Sequence, residues 1–243
     1  MTWRMETALK SIRLPETDIA NLAFRSYDFK VDFLANWLRP KQIKGSYEPL
    51  RHSVAEAANV ELPLIPDLER TTLEQLEKLV IRACKGNVDR IKMNLAPVRA
   101  IRRFVDEQQV EADFLESLPI TLHPGMRYEF WAPMIVRYRG VARIVFLDLR
   151  RTGGLSPTGC HVAFSIMHER FRALNPDFGA VRFEAWKFAN NDARTIRPVV
   201  EWAEPIQYDR IVSDVAETYG ILHALRAGDP GRATGTDPGP LFR

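Results

Sequence analysis

Asp148 and Arg150 have the spacing best suited to chemistry in this sequence. They stand two apart in Phe146–Gly153 (FLDLRRTG), and on a strand two such side chains project to one face. A carboxylate and a cation on one face can hold a hard divalent metal and orient a water or a scissile phosphate. Arg150 stays protonated, so it serves to bind phosphate and to stabilise developing charge, not to act as a base. The nearest acid upstream is Glu129, beside the apolar stretch Phe130-Trp131-Ala132-Pro133. In an active site of this kind, Asp148 and Glu129 would hold Mg²⁺. Two other uses of Asp148 stand beside it: a buried ion pair with Arg143, Arg150 or Arg151, and a pocket that binds phosphate without cleaving it.

A second group is basic. Between positions 78 and 103, Lys78, Arg82, Lys85, Arg90, Lys92, Arg99, Arg102 and Arg103 outnumber the acids. Lys92, Arg99 and Arg103 follow at spacings of seven and four, so an unbroken helix lines them along one face. Such a stripe neutralises phosphates, and each contact releases counterions. With Arg143 and Arg151 these residues form the candidate grip on DNA or RNA, while a solvated helix exterior is the plainer use. No aromatic side chains interleave with the charges, which argues against a platform for stacking single-stranded bases.

Other patterns carry less. His161 and His168 are seven apart, two helical turns, too far to share a metal. His168-Glu169 lacks the second histidine of H-E-x-x-H. Cys84 and Cys160 fit no zinc spacing, and neither Ser156 nor Ser165 sits in a nucleophile elbow. Glu184 and Lys187 are three apart on a strand and face opposite ways.

The elements that position these residues follow from periodicity and punctuation. Leu22, Phe29, Phe33 and Trp37 place an apolar stripe on a helix over about 19–37, ended by Pro40. This stripe is the candidate surface for a protein partner or a homodimer. A Pro-rich stretch over 41–66 carries a short helix at 52–59 and separates an N-terminal helical appendage, 1–66, from a core domain, 67–227. Thr71 to Glu74 fits a capping box, Gly86 stops that helix, and another starts at Asn87 or Val88 and meets Pro97, a kink or a new start.

The spelling then changes to strand: 127–138, a tight turn at Arg139-Gly140, and 141–149. A Gly-rich turn, a helix over 158–174 and a strand over 181–188 follow, a crossover that makes the second and third strands parallel. A short strand at 197–202, a helix over 209–227 and a Gly/Pro-rich tail, 228–243, expected to be disordered, complete an α+β chain with an α/β core.

This order, with Asp148-x-Arg150 on a strand before a Gly-containing turn and a helix, resembles the RecB-type PD-(D/E)XK nucleases of the restriction-endonuclease-like superfamily over about residues 90–190. The resemblance implies Mg²⁺-dependent cleavage with Asp148 as metal ligand. Arg150 stands where that family has Lys, and no Asp occupies the preceding strand, so the metal site it implies is degenerate.

Charge does not decide among these uses. The 34 Lys and Arg against 31 Asp and Glu give a net charge of +3, so the chain as a whole does not demand a polyanion. The N-terminal stretch lacks the apolar core of roughly 7–15 residues that a signal peptide needs, and no window approaches the roughly 18 apolar residues of a membrane span. The expectation is a cytoplasmic protein of one of two kinds. One is a nucleic-acid-associated protein with a nuclease-like core; the other is a non-enzymatic interaction module acting through its N-terminal helix.

Overall fold

The structure, a computed structural model, describes residues 12–39, 46–61, 70–116 and 119–228. Helices α1 (Glu16–Leu22) and α2 (Tyr27–Leu38) open the chain. A single helix over 19–37 was the expectation from periodicity; instead the chain breaks at Ala23–Ser26. Phe24 adopts φ 60°, and the Ser26 hydroxyl accepts the Phe29 N–H to start α2. The break separates two apolar faces. Leu22 is fully buried, whereas Phe29 remains 46% exposed, so the expected four-residue stripe begins only at Phe29.

Two short helices follow, α3 (Glu48–His52) and α4 (Val54–Ala58), and then the two-residue strand β1 (Val60–Glu61). Helix α5 (Leu73–Ala83) begins with a capping box one residue later than expected: the Thr72 hydroxyl accepts from Gln75 N and the Gln75 side chain accepts from Thr72 N. Gly86, at φ 76°, ends the turn after it. Asn87 caps α6 (Val88–Gln108), which runs through Pro97 as one helix.

The sheet has the order β1-β2-β5-β6-β7-β8. It comprises β2 (Glu111–Phe114), β5 (Met134–Tyr138), β6 (Val141–Asp148), β7 (Arg182–Phe188) and β8 (Ile196–Val200) beside β1. A separate hairpin joins β3 (Ile120–His123) to β4 (Met126–Tyr128). Strand β5 runs antiparallel to both of its neighbours, β2 and β6; β6 and β7 are parallel, and β8 returns antiparallel. The expected strand over 127–138 is thus two strands in different sheets, parted by a corner at Phe130 with φ 40°. Arg139 and Gly140 both take positive φ, the geometry that suits a two-residue hairpin between twisted strands.

The crossover is α7 (Pro157–Met167), prolonged by a π-helical turn, His168–Arg172. Helix α8 (Tyr208–Ala227) closes the described chain, and Gly228 at φ 74° ends it. The tail beyond Gly228 lies outside the described residues.

Alternate residues of β6 and β7 face two apolar layers. Ile144, Phe146, Phe183 and Ala185 meet α1, α2, α7 and α8 on one side; Val145, Leu147, Trp186 and Phe188 meet α3 to α6 on the other. Residues read by composition as an N-terminal appendage enter both layers: Leu14, Ile19 and Leu34 the first, Leu50 and Val54 the second. In α2, Lys30 is fully buried and its ammonium reaches Asp214 at 2.8 Å and Glu217 at 2.6 Å, which latches α2 to α8.

Candidate functional site

The end of β6 gathers the side chains that matter. Asp148 is 2% exposed and stands in register beside Lys187 of the parallel strand β7. Its Oδ2 accepts the Leu155 N–H at 2.7 Å, and Lys187 Nζ donates to the Leu155 carbonyl at 2.5 Å. One carboxylate and one ammonium therefore hold both polar groups of a single loop residue. Asn21, from α1, holds the neighbours: its Nδ2 donates to Gly154 O at 3.1 Å, and its Oδ1 accepts from Ser156 N at 2.8 Å. The segment from Gly154 to Ser156 is thereby fixed before Ser156 caps α7 through Gly159 N.

Burial pushes the Asp148 carboxyl above its ordinary range, opposed by the Leu155 N–H and by the charges of Lys187 and Arg150. Asp148 Oδ1 has no hydrogen-bond partner among the described residues.

The arginines expected as partners of Asp148 go elsewhere. Arg150 pairs with Asp18 of α1. Arg143 lies 3.0 Å from Glu184, a fully buried carboxylate on the opposite side of the sheet that also accepts from the Tyr138 hydroxyl and Trp186 Nε1. Arg151 reaches Asn190 and Asp192. The reason is register: parallel pairing sets Lys187, not an arginine, next to Asp148.

Glu129 is exposed. Its N–H donates to Glu16 at 3.1 Å, and its carbonyl accepts from buried Arg170 of the π-helical turn. Among the described residues no three His, Cys, Asp or Glu side chains gather where a metal could bind. Mg²⁺ favours carboxylate and water oxygens. A single buried carboxylate with an ammonium beside it does not fit that ion.

The basic helix divides in the same way. Lys92, Arg99 and Arg103 are exposed on α6, where Arg99 pairs with Glu77 at 2.6 Å and Arg103 donates to Ala193 O at 3.2 Å. Arg102 is buried and donates to the carbonyls of Glu56 and Thr71, which takes it out of the outward stripe. Its place four after Val98 and three before Val105, both buried, is the signal that assigns it inward.

Two concavities flank the Arg150–Asp18 pair. One, of about 530 Å³, runs along α2 and is lined by Phe29, Phe33 and Trp37 together with Arg25, Gly153 and Ser156. The other, of about 340 Å³, lies at the end of β6 between α1 and α3 and includes Arg13, Tyr47, Arg51 and Trp131. Sequence reasoning missed Lys187, Asn21 and Asp18 because their partners stand far along the chain.

The described residues form an α+β protein: an α-helical layer on each side of a mixed sheet, with an aromatic groove beside the loop that Asp148, Lys187 and Asn21 hold. Residues 17–227 match the family described as the sliding clamp-binding bacterial toxin SocB, and the chain belongs to that family. It is similar to the DNA replication inhibitor toxin SocB of Caulobacter vibrioides (strain NA1000 / CB15N), at 26% identity over 238 residues. The alignment takes in 94% of this chain and 97% of that protein, so the likeness spans the whole fold and not one motif. No solved structure matches. No helix among the described residues is long and apolar enough to cross a membrane.

Proposed function

We propose that this protein binds a bacterial sliding clamp and by that contact inhibits DNA replication, without cleaving nucleic acid. The observation that carries the reading is the family match over residues 17–227. Two structural features support it. Asp148 and Lys187 are occupied in holding Leu155, and Arg150 in holding Asp18, so the residues nearest to a catalytic set serve the fold. Helix α2 places exposed Phe29 and half-buried Phe33 and Trp37 at spacings of four along one groove, which suits a protein partner or a second copy. A protein acting on a clamp works where replication does, in the bacterial cytoplasm.

The test is surface plasmon resonance of the full chain over an immobilised bacterial sliding clamp, paired with primer extension by a clamp-dependent polymerase. Saturable binding and arrested extension are expected. The double variant Phe33→Asp/Trp37→Asp should weaken binding by about tenfold or more, since aromatic anchors dominate such contacts. A folded protein with no affinity for the clamp would sink the reading. Binding retained by the double variant would leave the reading in place and move the contact off α2.

A second reading is favoured by topology. The order α6, β2, β5, β6, α7, β7 is helix, three antiparallel strands, helix, parallel strand, which supports the restriction-endonuclease-like resemblance. In this reading Lys92, Arg99 and Arg103, with Arg151, contact the phosphate backbone of DNA or RNA. Its mark is an affinity that falls steeply with salt. Equal, negligible binding at low and moderate salt removes it.

A further inference from the structure

The cleft at the end of β6 has the make-up of a ligand site and not of a gap in packing. Leu14, Phe146, Leu147 and Leu149 close it from the apolar side, all of them buried. Its volume of about 340 Å³ falls within the roughly 300–1,000 Å³ typical of small-molecule sites. Its polar side carries three guanidinium groups, from Arg13, Arg51 and Arg150, against two carboxylates, Glu16 in the lining and Asp18 paired to Arg150.

These groups are unevenly occupied. Arg51, exposed on α3, lies over the Trp131 ring with Cζ 4.8 Å from its centroid. Among the described residues its guanidinium forms neither a salt bridge nor a hydrogen bond. Arg150 uses only Nη1, toward Asp18 and Gly153 O. Its Nε and Nη2 have no partner among the described residues, and that edge of a guanidinium takes two oxygens of a phosphate side by side. Glu16 is already committed: it accepts the N–H groups of Glu129 and Trp131 at 3.1 and 3.3 Å and pairs with Arg13 at 3.4 Å. Its contact to Trp131 N fixes the backbone that carries the indole.

We propose that this cleft binds a nucleoside phosphate, with the base against Trp131 and Arg51 and the phosphate on Arg150 and Arg13. A simple anion would leave the arginine-capped indole without a use, and an apolar ligand would leave the guanidinium edges unpaired. Arg51 already covers one face of Trp131, with Cζ 4.8 Å from the ring centroid, so the base extends that stack on the outer, exposed face of the guanidinium, and its phosphate supplies the acceptors. The ligand is either a free nucleotide or the phosphorylated end of a single strand. The site does not rest on the clamp reading, and its test uses no clamp.

Calorimetric titration of the full chain decides it, with five probes: adenosine 5′-monophosphate, adenosine, inorganic phosphate, and one short single strand with either a 5′-phosphate or a 5′-hydroxyl. Saturable binding of the nucleotide or the 5′-phosphorylated strand is expected, with adenosine and inorganic phosphate each weaker by about tenfold, the worth of one charge-assisted contact. Arg51→Ala, an exposed change that leaves the thermal melt unaltered, should also lower affinity by about tenfold. A strand end preferred over the mononucleotide identifies the strand as the source, and the reverse order identifies the free nucleotide. The proposal fails if no nucleoside phosphate binds saturably. It also fails if inorganic phosphate binds as tightly as the nucleotide, or if the double variant Arg13→Ala/Arg51→Ala binds unchanged.

Discussion

Replacing Gly154 by Ala measures how firmly the β6–α7 loop is locked on Asp148. The backbone at Gly154 lies outside the left-handed region, so alanine meets no conformational barrier. It meets a steric one: its Cβ would stand 2.6 Å from Asp148 Oδ2 and 3.3 Å from Cγ. That Oδ2 accepts the Leu155 N–H, and the side chain is 2% exposed, so the carboxylate has little room to step aside. If it moves, a hydrogen bond to a charged acceptor is lost, about 1.5–3 kcal/mol. If it stays, overpacking costs about 1–3 kcal/mol.

The loop adopts the cheaper mixture, and Gly154→Ala should destabilise by about 2 kcal/mol, a fall in Tm of roughly 4–8 °C at this chain length. Urea denaturation of a double-mutant cycle with Asp148→Ala gives the assay. Once the carboxylate is gone, Gly154→Ala should cost less than about 1 kcal/mol, a coupling of about 1 kcal/mol or more. A Gly154→Ala protein within about 0.5 kcal/mol of the parent, or strict additivity in the cycle, would refute the reasoning.

Gly159→Ala should behave alike, because its Cβ would collide with Asn21 Oδ1, the acceptor for Ser156 N. Pairing it with Asn21→Ala should recover most of the loss in a thermal melt. Lys30→Ala leaves Asp214 and Glu217 without their cation and opens a cavity. Glu217 is half exposed and is rehydrated, so about 2–3 kcal/mol is expected in chemical denaturation, short of the full loss for a buried pair. Burial, and secondarily His223, hold the His123 imidazole below its ordinary value, so the fold favours the neutral ring, which stacks on Tyr219 at 4.4 Å. The unfolded chain takes the proton first. Stability is therefore fully present above the unfolded value near about 6.5 and falls as pH drops through the folded one. His123→Asn should flatten the decline between roughly pH 7 and pH 5, and an unchanged slope would count against this account.

Where a signal is local, the sequence carries it. Gly86, Asn87, Arg139-Gly140 and Gly228 each act within a few residues of themselves, and each marks a boundary that the structure has; the capping box of Thr72 and Gln75 lies one residue beyond the Thr71 to Glu74 pair that spacing singles out. The break at Ala23–Ser26 is invisible to periodicity, because apolar spacing continues across it while the chain turns to bring Lys30 and Leu34 against α8. Strand β2, Glu-Ala-Asp-Phe, has one buried residue in four and takes its conformation from pairing with β5. Asp148 was legible as a special carboxylate, but its setting was not: Asp18 meets Arg150 across 132 residues and Asn21 meets Ser156 across 135. The inward turn of Arg102 was readable from Val98 and Val105, had burial been weighed before charge.

The buried Lys30 latch also governs when the molecule can exist during synthesis. Lys30 waits for Glu217, 187 positions later, and the Leu14 N–H for the Tyr219 hydroxyl, 205 positions later. At about 5–20 residues per second on the ribosome, that interval is roughly 10–40 s. Throughout it α1 and α2 have an apolar side and no α8 to cover it. Such long-range closure slows folding, and a chain released before Tyr208 cannot complete the first layer at all. A chain interrupted before α8 therefore leaves that layer open to proteolysis, and synthesis through Tyr219 is what closes it.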